Sequence, residues 1–466
     1  MTPQGKNRRT GEGPRSSGPS LPESHEKGGA EVGTETRNHA SGTNALRPGV
    51  ALLFLFAILR AIAATAGETP VPAAYYVGEA LSGNPSLASM RERIRMKENA
   101  AVRAGAFDDP KAWIGLTNVP IETWSFRDED MSGKEIGVSQ MFPYPGKRKL
   151  KTDMAVRERE QAGYDLEEMR SMLRSEVKMT YAELAAVRRQ AEVVRRTRDV
   201  LRDIVGVTQE LYSVGRGSQP DVLRGQVESG KMREMLLMLE NREKVLSVRL
   251  NTLAALPPDR PVPDLEELSE FFLPFRPEEL MAAYREDRPA RKALQARVAR
   301  GEAQVAMARR EYYPDFEVSV SYMQRDPMLD GTKRSDMVTS MLLMNIPVWR
   351  KAKLDPAIRE MTAEREMTAR ELDALDLATS NEIGRILATL ENRAAVAVLY
   401  RTTLIPQAEQ SFRANVESYE VGKIDFPMFM DSVMTVLSFR KEYSGMVGEM
   451  HMEKARLEAA VGRELN

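Results

Sequence analysis

The side chains able to cleave, bind or coordinate are few in this chain, and their spacing narrows the chemistry further. Cysteine is absent from all 466 residues. That removes thiolate metal sites, thiol nucleophiles, disulfides and a lipid-bearing N-terminal cysteine together. Of three histidines, His25 and His39 lie in a polar leading stretch, and only His451 sits in patterned sequence. A histidine-based zinc or catalytic centre therefore has too few ligands. Methionine is plentiful, at 27 residues. Met428, Met430 and Met434, then Met446, Met450 and Met452, are closely spaced soft donors. Thioethers can contact soft metals, but methionine also fills seams between helices, and core packing is the favoured reading. His451 does not join Met450 and Met452, because adjacent helical residues do not share a face. No phosphate-binding glycine loop, nucleophile motif or convincing acid/base pair occurs. The expectation is no enzyme, no cofactor and no protein-held metal. An energy source must lie in a partner.

The elements that position these residues are written twice. Asn84-Pro85 and Arg288-Pro289 open helical runs 204 residues apart, and Pro110 and Pro314 precede strand-like runs at the same offset. Phe142-Pro143 followed by Lys147-Arg148-Lys149-Leu150 matches Ile346-Pro347 followed by Lys351-Ala352-Lys353-Leu354. Tyr212-Ser213-Val214-Gly215 matches Tyr419-Glu420-Val421-Gly422, and Pro220 matches Pro427, at an offset of 207. One structural unit is used twice, at 67–256 and 278–466, with a proline-rich linker at 257–277.

Charge is balanced, 67 basic against 68 acidic residues, so nucleic acid is not expected as a partner. Residues 1–46 are rich in Gly, Ser, Pro, Glu and Arg and read as a disordered tail or a misplaced start. Residues 47–66 carry a positive flank, a short apolar core and an Ala64-Thr65-Ala66 ending. That is the pattern of a secretory signal peptide, the alternative being an N-terminal anchor helix.

Each unit reads helix, strand, loop, strand, very long helix, turn, helix. Ile136, Val138, Gln140 and Phe142 alternate with Glu135, Gly137, Ser139 and Met141. Phe316, Val318, Val320 and Tyr322 alternate with Glu317, Ser319, Ser321 and Met323. Such period-two patterning gives strands with one apolar and one small or polar face. Runs at 111–119 and 337–346 are their weaker partners. The strands have the length of tilted bilayer-crossing strands; the alternative is a soluble sheet with its apolar face on helices. First helices are expected at 75–106 and 278–311, long helices at 148–213 and 352–417, and returning helices at 219–254 and 426–462. Pro406 should bend or locally break the second long helix. Four strands cannot close a barrel, and open edges are not tolerated in lipid. Three chains pooling their strands would satisfy both constraints. The expected fold is mainly α with a small β part: duplicated antiparallel helices forming a trimeric coiled-coil tunnel, and four strands per chain in a shared 12-stranded β-barrel.

With these elements in order, the chain resembles the TolC-like outer-membrane efflux channels. The resemblance is carried by Phe142-Pro-Tyr-Pro-Gly-Lys147 and Ile346-Pro-Val-Trp349, and by Tyr212-Ser-Val-Gly215 with Asp221-Val-Leu223. Leu404-Ile-Pro-Gln-Ala408 and Tyr419-Glu-Val-Gly422 complete it. It spans about residues 75–463, and the first motif looks most like the heavy-metal branch. The resemblance implies a homotrimer in outer-membrane lipid with a periplasmic tunnel. A periplasmic adaptor and an inner-membrane pump, of the resistance-nodulation-division type, would deliver small molecules or metal ions to it. It also implies adaptor docking at Val214, Gly215, Arg216, Val421, Gly422 and Lys423. The periplasmic aperture would be lined by Asp431, with Met428 standing where relatives commonly carry a second acidic residue. Asp221 and Arg224 hold the equivalent places in the first unit. The competing reading is a soluble periplasmic coiled-coil scaffold or adaptor.

Overall fold

The computed structural model describes residues 70–466 apart from 216, 273, 421 and 466. The expected tail 1–46 and signal peptide 47–66 lie outside the described residues, as do Arg216 and Val421.

Each expected first helix is two helices. In the first unit these are α1 (Ala73–Gly83) and α2 (Pro85–Ala104), and in the second α5 (Pro277–Asp287) and α6 (Pro289–Arg310). Proline disfavours helical backbone in the residue before it. Asn84 and Arg288 are accordingly extended, with ψ of 121° and 116°. Asn84 also caps α2, its side chain accepting from the Ser86 amide at 2.9 Å.

The strands are β1 (Lys111–Thr117), β2 (Gly133–Phe142), β3 (Phe316–Gln324) and β4 (Met337–Met344). They form one antiparallel sheet in the order β1-β2-β3-β4, so the two units meet at the β2–β3 pair. The register stacks like on like. Ile114, Ile136, Tyr322 and Val338 form one cross-strand row, and Ala112, Val138, Val320 and Ser340 the next. The opposite face carries Glu135, Ser139, Glu317 and Ser321. There Ser139 donates to Glu317 at 2.6 Å and Thr117 to Glu135 at 2.9 Å. Nothing among the described residues covers the apolar face: Ile114 is 84% exposed, Val338 71% and Leu342 60%. The soluble-sheet alternative required helices on that face.

Below the sheet runs α3 (Lys147–Ser213), 67 residues without a proline, hence roughly 100 Å long at 1.5 Å per residue. It returns through α4 (Gln219–Leu253). The second long helix is segmented. A π-helical turn at Arg350–Leu354 leads into α7 (Asp355–Leu399), a second π turn spans Tyr400–Leu404, and α8 (Ile405–Glu420) follows. The return is α9 (Phe426–Val461). The expected break at Pro406 is this second π turn. Proline lacks the amide donor and crowds the carbonyl four residues back, and a wider turn relieves both.

Packing makes a wall, with no single core. α3 packs against α2 and α4, and against α6 and α9, while α7 attaches beyond these to α6 and α9, and α8 to α9. Apolar clusters follow along it. Leu173, Val177, Tyr181 and Leu184 of α3 meet Tyr76, Leu87, Leu246 and Leu250. Val194 and Leu201 meet Met232, Phe426 and Phe429. A third cluster joins Tyr284, Ile383, Ile386, Met446, Met450 and Leu457. The linker lies against this wall. Val71 bridges to Leu265, and the buried Tyr181 hydroxyl donates to the Val71 carbonyl and accepts from the Glu266 amide.

Candidate functional site

The two helical hairpins end in matching turns. Gly215 and Gly422 take φ of 74° and 70°, a left-handed conformation that glycine adopts without penalty. Their amides donate to the Tyr212 and Tyr419 carbonyls at 3.0 and 2.9 Å, closing the last turn of each helix. A Cβ at either position would meet nothing within 4 Å among the described residues beyond its chain neighbours, so the backbone angle, not crowding, demands glycine. The returning helices are capped alike. Ser218 accepts from the Asp221 amide at 3.4 Å and Asp425 from the Met428 amide at 3.1 Å. Pro220 and Pro427 stand in the first turns, where a missing amide costs nothing. Val214, Gly215, Gly422 and Lys423 are all exposed.

Along α9 the faces separate cleanly. Phe426, Phe429, Met430 and Val433 are buried, whereas Asp425, Met428 and Asp431 form an exposed stripe at three-residue spacing. Met428 is 57% exposed. Asp431 makes no ion pair among the described residues. In the first unit Arg224 is exposed and Asp221 half-buried. Asp221 also takes a hydrogen bond from Ser218 at 2.7 Å.

Sequence reading missed the clamp behind this stripe. Tyr419 stacks on Phe429 at 5.1 Å, Phe412 stacks on Phe429 at 6.1 Å, and Phe426 leans against both Tyr419 and Phe429. Gly225 of α4 lets the two hairpins close: a Cβ there would lie 2.9 Å from Val205 and 3.4 Å from Phe426. Burial raises the Tyr419 pKa, with Asp221 adding to the rise and a hydrogen bond to Thr208 opposing it. The tyrosine thus reaches both hairpins. Aromatic spacing within 412–429 was the available signal.

The methionines divide by burial. Met430, Met446 and Met450 are core residues. His451 turns away from them, its Nε2 2.9 Å from the Ser269 carbonyl and its ring edge-on to Phe271. Among the described residues no three His, Cys, Asp or Glu side chains are grouped to hold a metal ion.

A second constellation lies where strands become helices. Lys147 is 1% exposed, although it opens the longest helix. Its ammonium sits 2.9 Å from Asp315 and 3.2 Å from Glu311, and donates to the Tyr313 carbonyl at 3.4 Å. Tyr144 stacks on Tyr313 at 4.4 Å. Gly146, at φ 90°, leaves room for the Arg310 guanidinium, which a Cβ would approach to 2.4 Å. The Phe-Pro-Tyr-Pro-Gly-Lys stretch therefore ties the first unit to the second.

Comparison with known proteins places this geometry. Outer-membrane protein VceC of Vibrio cholerae superposes with a TM-score of 0.71 at 18% identity, over 84% of this chain and 97% of VceC. The outer-membrane channel OprN gives 0.72 at 16% identity, over 84% and 89%. CusC gives 0.71 at 10%, over 84% and 92%. The cobalt-zinc-cadmium resistance protein CzcC of Cupriavidus metallidurans is 24% identical over 330 residues, covering 68% of this chain and 74% of CzcC. The model of the outer membrane efflux protein family matches residues 76–255 and 280–463. With both halves matched and the fold of solved outer-membrane channels, this chain belongs to the outer membrane efflux protein family.

Proposed function

We propose that three copies of this chain pool their sheets into one barrel and their helical walls into a tunnel, forming the passive outlet of a tripartite efflux system. The observation that carries the reading is the apolar sheet face, which is uncovered and bounded by two unpaired edge strands among the described residues, and which joins directly to the long helices. Open edges are not tolerated in lipid, so further copies must complete the sheet. The segments Val214-Gly215-Arg216 and Val421-Gly422-Lys423 are the docking points for a periplasmic adaptor; of these residues Val214, Gly215, Gly422 and Lys423 are exposed. Met428 and Asp431 line the periplasmic mouth. An inner-membrane pump of the resistance-nodulation-division type supplies the energy. Similarity to a cobalt-zinc-cadmium resistance protein supports metal ions as cargo. The test is the mass of the detergent-solubilised, conducting particle. The expected mass is near three chains; a stable monomer that conducts would overturn the assembly.

A further inference from the structure

The duplicated basic runs after the β2 and β4 strand ends have a use beyond marking the repeat. Lys147 is consumed inside the protein by Glu311 and Asp315. Its neighbours are not. Lys149, Lys151, Arg350, Lys351 and Lys353 are exposed, and none forms an ion pair among the described residues. The carboxylates that could neutralise them are largely engaged: Glu311 and Asp315 by Lys147, and Asp355 by the Tyr312 hydroxyl. Asp108, Asp109 and the half-buried Asp153 are the other acids in these segments.

The depth of these cations is fixed by their neighbours. In the first unit the apolar sheet face ends at Phe142, which packs edge-on against the exposed Phe107. Arg148 then lies 3.5 Å over that ring. In the second unit the sheet ends at Met344, and the exposed Ile346, Val348 and Trp349 follow, the last 73% exposed. Arg350, Lys351 and Lys353 come directly after. An apolar band, then aromatic rings, then cations is the order of a membrane–water interface crossed from the hydrocarbon side. Both units present it at the same sheet end.

We propose that these five side chains form a basic collar that binds acidic glycerophospholipid headgroups in the periplasmic leaflet of the outer membrane. The inference rests on the sheet being embedded in that membrane. Charge complementarity selects the partner. Unpaired cations at headgroup depth attract anionic lipid, an effect salt screens. Zwitterionic lipid gives no such net gain. Each chain contributes the collar in two parts, Lys149 and Lys151 from the first unit and Arg350, Lys351 and Lys353 from the second, so closure of copies into a barrel would make it a ring.

The purified full-length channel would be offered equal amounts of phosphatidylglycerol and phosphatidylcholine with matched acyl chains, and retained lipid read by native mass spectrometry. Retention favouring phosphatidylglycerol by about fivefold or more is expected, shrinking as salt rises. The K149Q/K151Q/K351Q/K353Q variant should lose most of that preference, and the same four positions as arginine should keep it. Should the quadruple variant not assemble, K351Q/K353Q alone is expected to lower the preference. Equal retention of both lipids by the unaltered channel overturns the collar. So does an undiminished preference in the glutamine variants, an equal loss in the arginine variant, or displacement of the lipid by inorganic phosphate but not by chloride at matched ionic strength. The same spectra report the number of chains, so failure of the assembly and failure of the collar are read separately.

Discussion

At the scale of single residues, the candidate mouth is a contrast between two faces of one helix. Phe426, Phe429 and Met430 anchor α9 to its neighbours, which leaves Met428 and Asp431 facing outward one helical turn apart. Three Asp431 carboxylates around an axis would attract cations and repel anions. Met428 would add an apolar ring beside them. Asp431→Ala should therefore lower cation selectivity in single-channel recordings and raise closed-state conductance, while Met428→Asp should strengthen cation preference. If both variants conduct like the parent, these side chains lie away from the aperture. Gly225 sets the spacing behind them, since a Cβ there would crowd Val205 at 2.9 Å with Phe426 already at 3.4 Å.

Among the elements, the linker and the segmented second helix work together. Glu270 of the linker pairs with Arg401 at 3.1 Å, in the π turn that accommodates Pro406, and accepts from the Tyr443 hydroxyl at 2.7 Å. His451 completes the attachment through the Ser269 carbonyl and Phe271, with Lys454 5.4 Å above the same ring. Burial holds the His451 pKa below the ordinary histidine value; the Ser269 carbonyl opposes this and Lys454 adds to it. A depressed folded-state value means that the unfolded chain binds the proton more readily. The attachment is therefore at full strength above about pH 6.5, and weakens as pH falls from there through the lower folded-state value. Hydrogen exchange at 265–272 should accelerate several-fold on acidification through that window. His451→Gln should flatten the dependence; an unchanged profile would remove His451 from the linker's stability.

For the whole molecule, the two faces of the sheet decide its solvent. Val138 stands in a cross-strand row with Ala112 and Val320, whereas Ser319 lies on the opposite face beside Ser139. A charge on a lipid-facing strand position costs about 2–4 kcal/mol near the bilayer midplane and far less on a lumen face. Val138→Arg should sharply reduce membrane assembly. Ser319→Arg should assemble normally and shift conductance or selectivity. The reverse result, read by heat-modifiable mobility and single-channel recording, would mean the faces are assigned the wrong way round.

Local patterns carried much of this structure in the sequence. Period-two alternation fixed which residues of β2 and β3 share a face, the proline-free stretch fixed the uninterrupted α3, and Pro406 fixed a defect in its counterpart. Even the splitting of the first helices was present in Asn84-Pro85 and Arg288-Pro289, although the apolar pattern continues across both. These are effects of backbone geometry within a few residues, so a single segment contains them. The sequence alone left other features open. Lys147 finds Glu311 and Asp315 across the units, Gly225 meets Phe426 across the hairpins, and Lys149 and Lys351 are left without ion-pair partners among the described residues. Alternation states that a strand has an apolar side, but not whether a helix covers it. Burial and charge pairing depend on which distant segments arrive at the same place, and only the folded chain decides that.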